Sequence, residues 1–215
     1  MNSFVGVLDY GCGNLHSVAR ACAKFSDNIE IVEEFQQNSG FTHIVLPGVG
    51  SYSNAINEIR TRGLDQLIHE KLNDGVPLLG ICVGMQVLTT EGHEDGFNSG
   101  LDLVSGSTEM LSLTKSDKSS RVPNMGWNAV IPGMSGNENQ LFQGLENGFD
   151  AYFAHSFEVK PNDAADISAF SKFDGRNLVS AVKREHVYGV QFHPEKSGES
   201  GLRVLKNFLS VNVLS

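Results

Sequence analysis

With 215 residues, 40% hydrophobic and 19% charged, the chain is long enough and apolar enough to bury a full sheet between helices, so disorder is excluded as its default state. A net charge of −9, from 25 acidic against 16 basic residues, argues against nucleic acid as the main partner, because phosphate backbones need clustered Lys and Arg and the longest basic run here is Lys183-Arg184. Cys12, Cys22 and Cys82 fit neither a disulfide framework nor a metal-binding spacing. A reducing compartment follows. No apolar run approaches the roughly 18 residues of a membrane span, and no basic residue precedes the apolar start of the chain. The expectation is a single cytoplasmic domain over residues 1–215.

The first half alternates apolar runs with helical patterns. Phe4 to Leu8 reads as a strand and Asn14 to Phe25 as a helix, with Leu15, Val18, Ala19 and Cys22 on one face. Ile29 to Val32 and His43 to Leu46 read as strands. Ser53 to Gly63 and Leu64 to Leu72 read as helices. Val76 to Ile81 is apolar at nearly every position, as expected for a strand covered on both faces. Gly92 to Gly100 reads as a loop. Six shorter strands follow, at Thr108 to Leu113, Trp127 to Ile131, Ala151 to Val159, Ile167 to Phe173, Leu178 to Val182 and Val187 to Phe192, and a helix at Gly201 to Leu209 closes the chain. The implied fold is α/β: an open, mostly parallel, doubly wound sheet with helices on both faces, plus a smaller mixed or antiparallel extension in the second half.

The chemistry concentrates in three segments, each following an apolar strand. In Gly80-Ile81-Cys82-Val83-Gly84, a cysteine between two glycines sits at a strand-to-helix turn. Such a turn presents the sulfur at a helix N-terminus, where a thiolate is favoured, and places the Val83 N–H where an oxyanion would form. It is the cysteine counterpart of the nucleophile elbow. In Phe192-His193-Pro194-Glu195, a histidine and a carboxylate two residues apart share one side of an extended chain. They suit a base and its orienter. In Leu46-Pro47-Gly48-Val49-Gly50, glycines leave a peptide free to turn its N–H toward the same site. Each segment read alone has a plain structural explanation. One parallel sheet would bring all three to the same edge.

These residues resemble class I glutamine amidotransferases, with their Cys-His-Glu triad, and within that family the glutaminase subunits of imidazole glycerol phosphate synthases. The likeness spans essentially the whole chain. Further marks are Asp9-Tyr10-Gly11-Cys12-Gly13-Asn14, Met125-Gly126-Trp127-Asn128, His155-Ser156 and Glu195-Lys196-Ser197-Gly198. The resemblance implies that Cys82 forms a glutamyl thioester, with His193 as general acid/base and Glu195 as its orienter. It implies an oxyanion hole from the Val83 N–H and a peptide N–H of Gly48, Val49 or Gly50. Gln86, His155 and Ser156 would line the glutamine pocket. Ammonia would pass to a (β/α)₈ synthase subunit docked near Asn14, Trp127 and Lys196. No cofactor and no metal is implied.

Three positions depart from the family pattern. Asn124 stands where His is usual, Val83 where Leu is usual, and Phe157 where Tyr is usual. Asn124 lies close to the implied docking face. It leaves open a paralogous subunit that feeds ammonia to sugar amidination for surface polysaccharides. A stand-alone γ-glutamyl hydrolase or cysteine peptidase of the same fold also remains open, as does a non-catalytic binding subunit. Gly11-Cys12-Gly13 lacks the third glycine of a dinucleotide loop. Cys12 and Cys22 read as structural. His16, His43, His69, His93 and His186 read as surface or loop residues. The phenylalanines read mostly as core, and Trp127 could be core too.

Overall fold

The computed structural model describes residues 3–11, 13–37, 39–113, 121–133 and 140–213. In chain order the elements begin with β1 (Phe4–Leu8), α1 (Leu15–Cys22), β2 (Asn28–Val32), β3 (His43–Gly48), α2 (Tyr52–Thr61), α3 (Leu64–Asn73), β4 (Leu78–Cys82) and α4 (Val83–Gln86). The second half holds β5 (Thr89–Gly92), β6 (Asn98–Ser99), β7 (Val104–Met110), β8 (Asn124–Pro132), β9 (Phe149–His155), β10 (Phe157–Pro161), β11 (Ile167–Phe173), β12 (Arg176–Arg184), β13 (Val187–Val190) and α5 (Gly198–Phe208).

Nine strands form one sheet in the order β2-β1-β3-β4-β13-β12-β11-β8-β9. From β2 to β13 the pairing is parallel, and from β13 to β9 it is antiparallel. The antiparallel extension is thus continuous with the parallel sheet. A second sheet, β10-β7-β5-β6, is mixed. β3 and β4 are buried at every position, which explains why, His43 apart, they carry no polar side chain before Cys82.

Packing fixes the strand ends. α5 buries Gly201, Val204, Leu205 and Phe208, spaced i, i+3, i+4 and i+7 along one face. A Cβ on Gly201 would lie 2.1 Å from the Pro194 carbonyl oxygen, so α5 presses directly on the turn that follows β13. The sheet also curls back on itself. The far edge strand β9 meets that same turn, where the His193 N–H donates to the Tyr152 carbonyl (2.9 Å) and the Tyr152 N–H donates to Ser197 Oγ (2.9 Å).

Several expectations change. The strand anticipated over Ala151 to Val159 is two strands, β9 and β10, parted at Ser156 and committed to different sheets. The anticipated loop at Gly92 to Gly100 contains β6, and β5 precedes it. The helix anticipated over Asn14 to Phe25 is shorter, because Asn14 takes a left-handed conformation (φ 71°) and the chain loosens into turns after Cys22. His43 is buried, not at the surface. Its imidazole meets Thr42 Oγ1 at 2.9 Å and the Val211 carbonyl at 3.1 Å, and those partners make burial tolerable. Cys22 is buried in the core, whereas Cys12 lies outside the described residues. Phe97 is largely exposed.

Candidate functional site

The three chemical segments converge at the C-terminal ends of β3, β4 and β13. Gly48 lies opposite Cys82 in the β3–β4 register, and Val190 lies opposite Ile81 across β13–β4. Cys82 ends β4 in a conformation that side chains rarely adopt, with φ 54° and ψ −110°. Such a conformation costs about 1–2 kcal/mol and persists only where the surroundings impose it. The surroundings here are close-packed backbone. A Cβ on Gly84 would lie 1.8 Å from the Leu46 carbonyl oxygen, and one on Gly80 2.6 Å from the Gly84 carbonyl oxygen. α4 therefore sits so tightly on β3 and β4 that only glycine fits at either position.

His193 and Glu195 complete the constellation. His193 faces Cys82 on one side, in the same pocket, and the sulfur raises its pKa. On the other, Nδ1 lies 2.9 Å from Glu195 Oε1. The local geometry differs from the extended chain read from sequence. Residues 194–196 form a 3-10 turn with Pro194 as its first residue, and the carboxylate curls back onto the imidazole. Both side chains are buried, at 3% and 0% exposure. Burial alone would strip the proton from His193. The hydrogen bonds and negative charges of Cys82 and Glu195 outweigh it and lift the imidazole to about 9. Asn14 donates its carboxamide N–H to Glu195 Oε1, so it braces the carboxylate from the start of α1.

The oxyanion segments are adjacent to the sulfur. Val83 opens α4, so its N–H has no intrahelical acceptor and is available to a developing oxyanion. A Cβ on Gly48 would lie 2.6 Å from the Gly84 nitrogen and 2.9 Å from Val83 Cβ, so the Gly48–Gly50 segment packs on the elbow itself. Gly50 holds φ 107° with open space around it, a conformation that suits glycine alone.

A pocket of about 290 Å³ opens above these groups. Val49, Gly50, Cys82, Val83 and His193 form its floor, and Gln86, Glu94, His155, Ser156 and Lys196 are among its walls. His155 is held neutral, because burial outweighs its partners and pulls it down to about 4. Both its nitrogens are engaged: Nδ1 with the Phe157 carbonyl at 2.7 Å and Nε2 with Asn124 Nδ2 at 2.9 Å. Gln86 Nε2 reaches the Phe157 carbonyl (3.3 Å) and Gln191 Oε1 (3.2 Å), so both its N–H donors are used within the protein. Contact with a ligand falls to its carbonyl oxygen.

Sequence reasoning missed three residues. Among the described residues, Glu94 is the sole carboxylate lining the pocket, fixed by the Tyr52 N–H at 2.6 Å. Burial raises its pKa. Nothing in its loop marked it. Asn124 is buried against His155, so the departure from the family's His alters the inside of the site rather than its outer face. Gln191, fully buried beside the sulfur, carried a signal that went unused: a polar side chain between Val190 and Phe192 in an apolar strand. Trp127 is not core. It is 58% exposed on β8, with its ring against Tyr152, whose other neighbour is the Lys196 ammonium 5.8 Å from the ring centre.

Known proteins resemble this chain along nearly its whole length. The "Glutamine amidotransferase class-I" family model matches residues 6–211. An imidazole glycerol phosphate synthase subunit HisH from a Geobacillus species is 38% identical over 208 residues, covering 96% of each chain. The HisH of Leptospira borgpetersenii is 36% identical over 96% of this chain and its own full length, and that of Synechocystis is 36% identical over 99% and 98%. Among solved structures, a chain of PurLQS from Thermotoga maritima superposes with a TM-score of 0.74 at 18% identity, over 97% of this chain and 98% of that one. A glutamine amidotransferase crystal structure superposes with a TM-score of 0.71 at 18% identity, over 96% and 99%. At such low identity these two speak for the fold alone. A family match that runs from β1 to beyond α5, with relatives above one-third identity along nearly their whole length, establishes that the chain belongs to the class-I glutamine amidotransferase family.

Proposed function

We propose that the chain is the glutaminase subunit of an imidazole glycerol phosphate synthase, supplying ammonia for histidine biosynthesis in the cytoplasm. The observation that carries this reading is the strained Cys82 sharing a pocket with His193, whose other side is held by Glu195. The full-length relatives named HisH support the pathway.

The reaction runs in two halves. The Cys82 thiolate attacks the carboxamide carbon of glutamine, and the oxyanion is received by the Val83 N–H and a peptide N–H of the Gly48–Gly50 segment. His193, which keeps its proton to about pH 9, gives it to the amide nitrogen as the C–N bond breaks. Ammonia leaves and a glutamyl thioester remains. Neutral His193 then takes a proton from water, the water oxygen attacks the thioester carbonyl, and glutamate departs as the thiolate returns. Glu195 holds the imidazole in register throughout. Glu94 faces the α-ammonium group of glutamine. Gln86, His155 and Ser156 shape the wall around its carboxamide.

Ammonia then passes to a (β/α)₈ synthase subunit. Trp127 and Met125, both exposed on β8, and Lys196 stand beside the pocket, as a docking face for that subunit requires. A stand-alone hydrolase would leave this apolar patch in water. The test is Cys82→Ala in the reconstituted complex. Glutamine-dependent synthesis should fall by at least about 10⁴-fold while synthesis from free ammonia continues. Retained glutaminase activity would overturn the assignment.

A further inference from the structure

We infer that Gln191 is a positioning residue for the nucleophile: its carboxamide N–H donates to the Cys82 sulfur, and hydrogen bonds reaching back to β8 fix its orientation. The inference rests on the reading of Cys82 as nucleophile. Gln191 Nε2 lies 3.6 Å from Cys82 Sγ, and Gln191 is fully buried. A buried carboxamide just past the end of β13 is costly unless its partners are fixed. Here they are.

An amide's nitrogen and oxygen can be told apart only by their partners. The Phe157 carbonyl decides them all, because it can only accept. It therefore takes a hydrogen from His155 Nδ1 and another from Gln86 Nε2. Neutral His155 is left with an unprotonated Nε2, which accepts from Asn124 Nδ2, and Asn124 Oδ1 accepts from Asn128 Nδ2 at 2.9 Å. In the other direction, the second Gln86 hydrogen goes to Gln191 Oε1. The Gln191 nitrogen is then obliged to face the sulfur. The carbonyl is free for this role because the chain breaks between β9 and β10 at Ser156, and Phe157 turns inward there.

A fixed N–H donor beside sulfur favours thiolate over thiol. In the thiol form the sulfur donates its hydrogen to the Ala154 carbonyl, 3.9 Å away, a contact that the thiolate gives up. The other ionisable groups around the sulfur are His193 and Glu195 from the turn after β13, His155 at the end of β9, Glu94 after β5, and Lys196 at the pocket mouth. Replacing Gln191 leaves all of them in place.

The experiment is a pH profile of Cys82 alkylation by iodoacetamide in the full chain, read on the Cys82 peptide by mass spectrometry. Gln191→Met keeps the shape and removes the donor. Its half-maximal pH should rise by about one unit, a tenfold loss of thiolate at a given pH. Gln191→Glu keeps the acceptor toward Gln86 but sets oxygen against sulfur, and should rise further. In the synthase complex, kcat for glutamine should fall about tenfold with KM nearly unchanged. A Met profile that overlays the parent overturns the inference. If the Met variant does not fold, the Glu variant decides by the same criterion. Should Cys82→Ala retain glutaminase activity, the reading of the site fails, and the alkylation shift still reports on the Gln191–sulfur contact.

Discussion

Two buried histidines line one pocket, and the two strand ends that carry them treat them in opposite ways. Beyond β13, His193 is lifted to about 9 against the pull of burial, because Cys82 and Glu195 face it. At the end of β9, burial takes His155 down to about 4, helped by the nearby charge of His193 and opposed by the Phe157 carbonyl and Glu158. Burial is similar in kind, so the neighbours decide. A ring between sulfur and carboxylate becomes a proton donor. A ring between a carbonyl and a carboxamide becomes a neutral brace. One pocket thereby holds a charged catalyst and an uncharged wall.

The largest way to break this contrast is to remove the carboxylate. Glu195→Gln leaves an amide where the charge was. His193 should titrate well below 9 by NMR, and kcat/KM for glutamine in the complex should fall by about 10³–10⁴-fold, the scale found when a triad loses its acid. A variant whose His193 still titrates near 9 would place the cause of the shift elsewhere. The converse change acts on the other ring. Asn124→Asp sets a carboxylate against His155 Nε2 and should draw its pKa upward, making the two walls alike. Glutamine turnover should drop by about tenfold or more as the donor toward His155 is lost. An unmoved His155 resonance would deny that Asn124 holds the neutral form.

The same contrast predicts the pH dependence of stability. His155 binds its proton more weakly folded than unfolded. Its neutral form contributes in full above about pH 6.5, and that contribution is lost as pH falls from there toward 4. His193 binds its proton more tightly folded. Its contribution is full below about 6.5 and is lost as pH rises through 9. Each slope is at most about 1.4 kcal/mol per pH unit. Denaturant melts from pH 4 to 9 should therefore peak near neutrality. His155→Gln should flatten the acid limb alone, and Glu195→Gln the alkaline limb alone. A limb that keeps its slope in its own variant would belong to another group.

The two ends also differ in how far the sequence disclosed them. The ends of β3, β4 and β13 were legible because the constraints there are local. A strand covered on both faces must be apolar, and the turn after it must use glycine where the Leu46 carbonyl leaves no room for a Cβ. The end of β9 was not legible. Ala151 to Val159 carries no Gly or Pro to mark a break, and only pairing with distant β8 and β7 parts it at Ser156. The roles of Asn124 and Gln191 arise from that same break, through the Phe157 carbonyl. Even His193 and Glu195 were placed together by a spacing argument that assumed extended chain, where the molecule uses a 3-10 turn.

The smallest expected effect on the chain itself comes from the outer side of β9. Trp127 stands edge-on to Tyr152, with ring centres 6.2 Å apart, and more than half of it is in water. Trp127→Ala should change the melting free energy of the isolated chain by only about 0.5 kcal/mol. The two histidines should titrate as before, since neither touches the indole. Binding is where this residue should matter. An exposed tryptophan that becomes buried at an interface is worth about 2 kcal/mol or more, roughly a thirtyfold loss in affinity for the synthase subunit by calorimetry. Unchanged affinity would remove β8 from the docking face and leave the inner wall of the site untouched. The inner and outer faces of the β8–β9 hairpin would then be separable, one serving chemistry and the other only exposed.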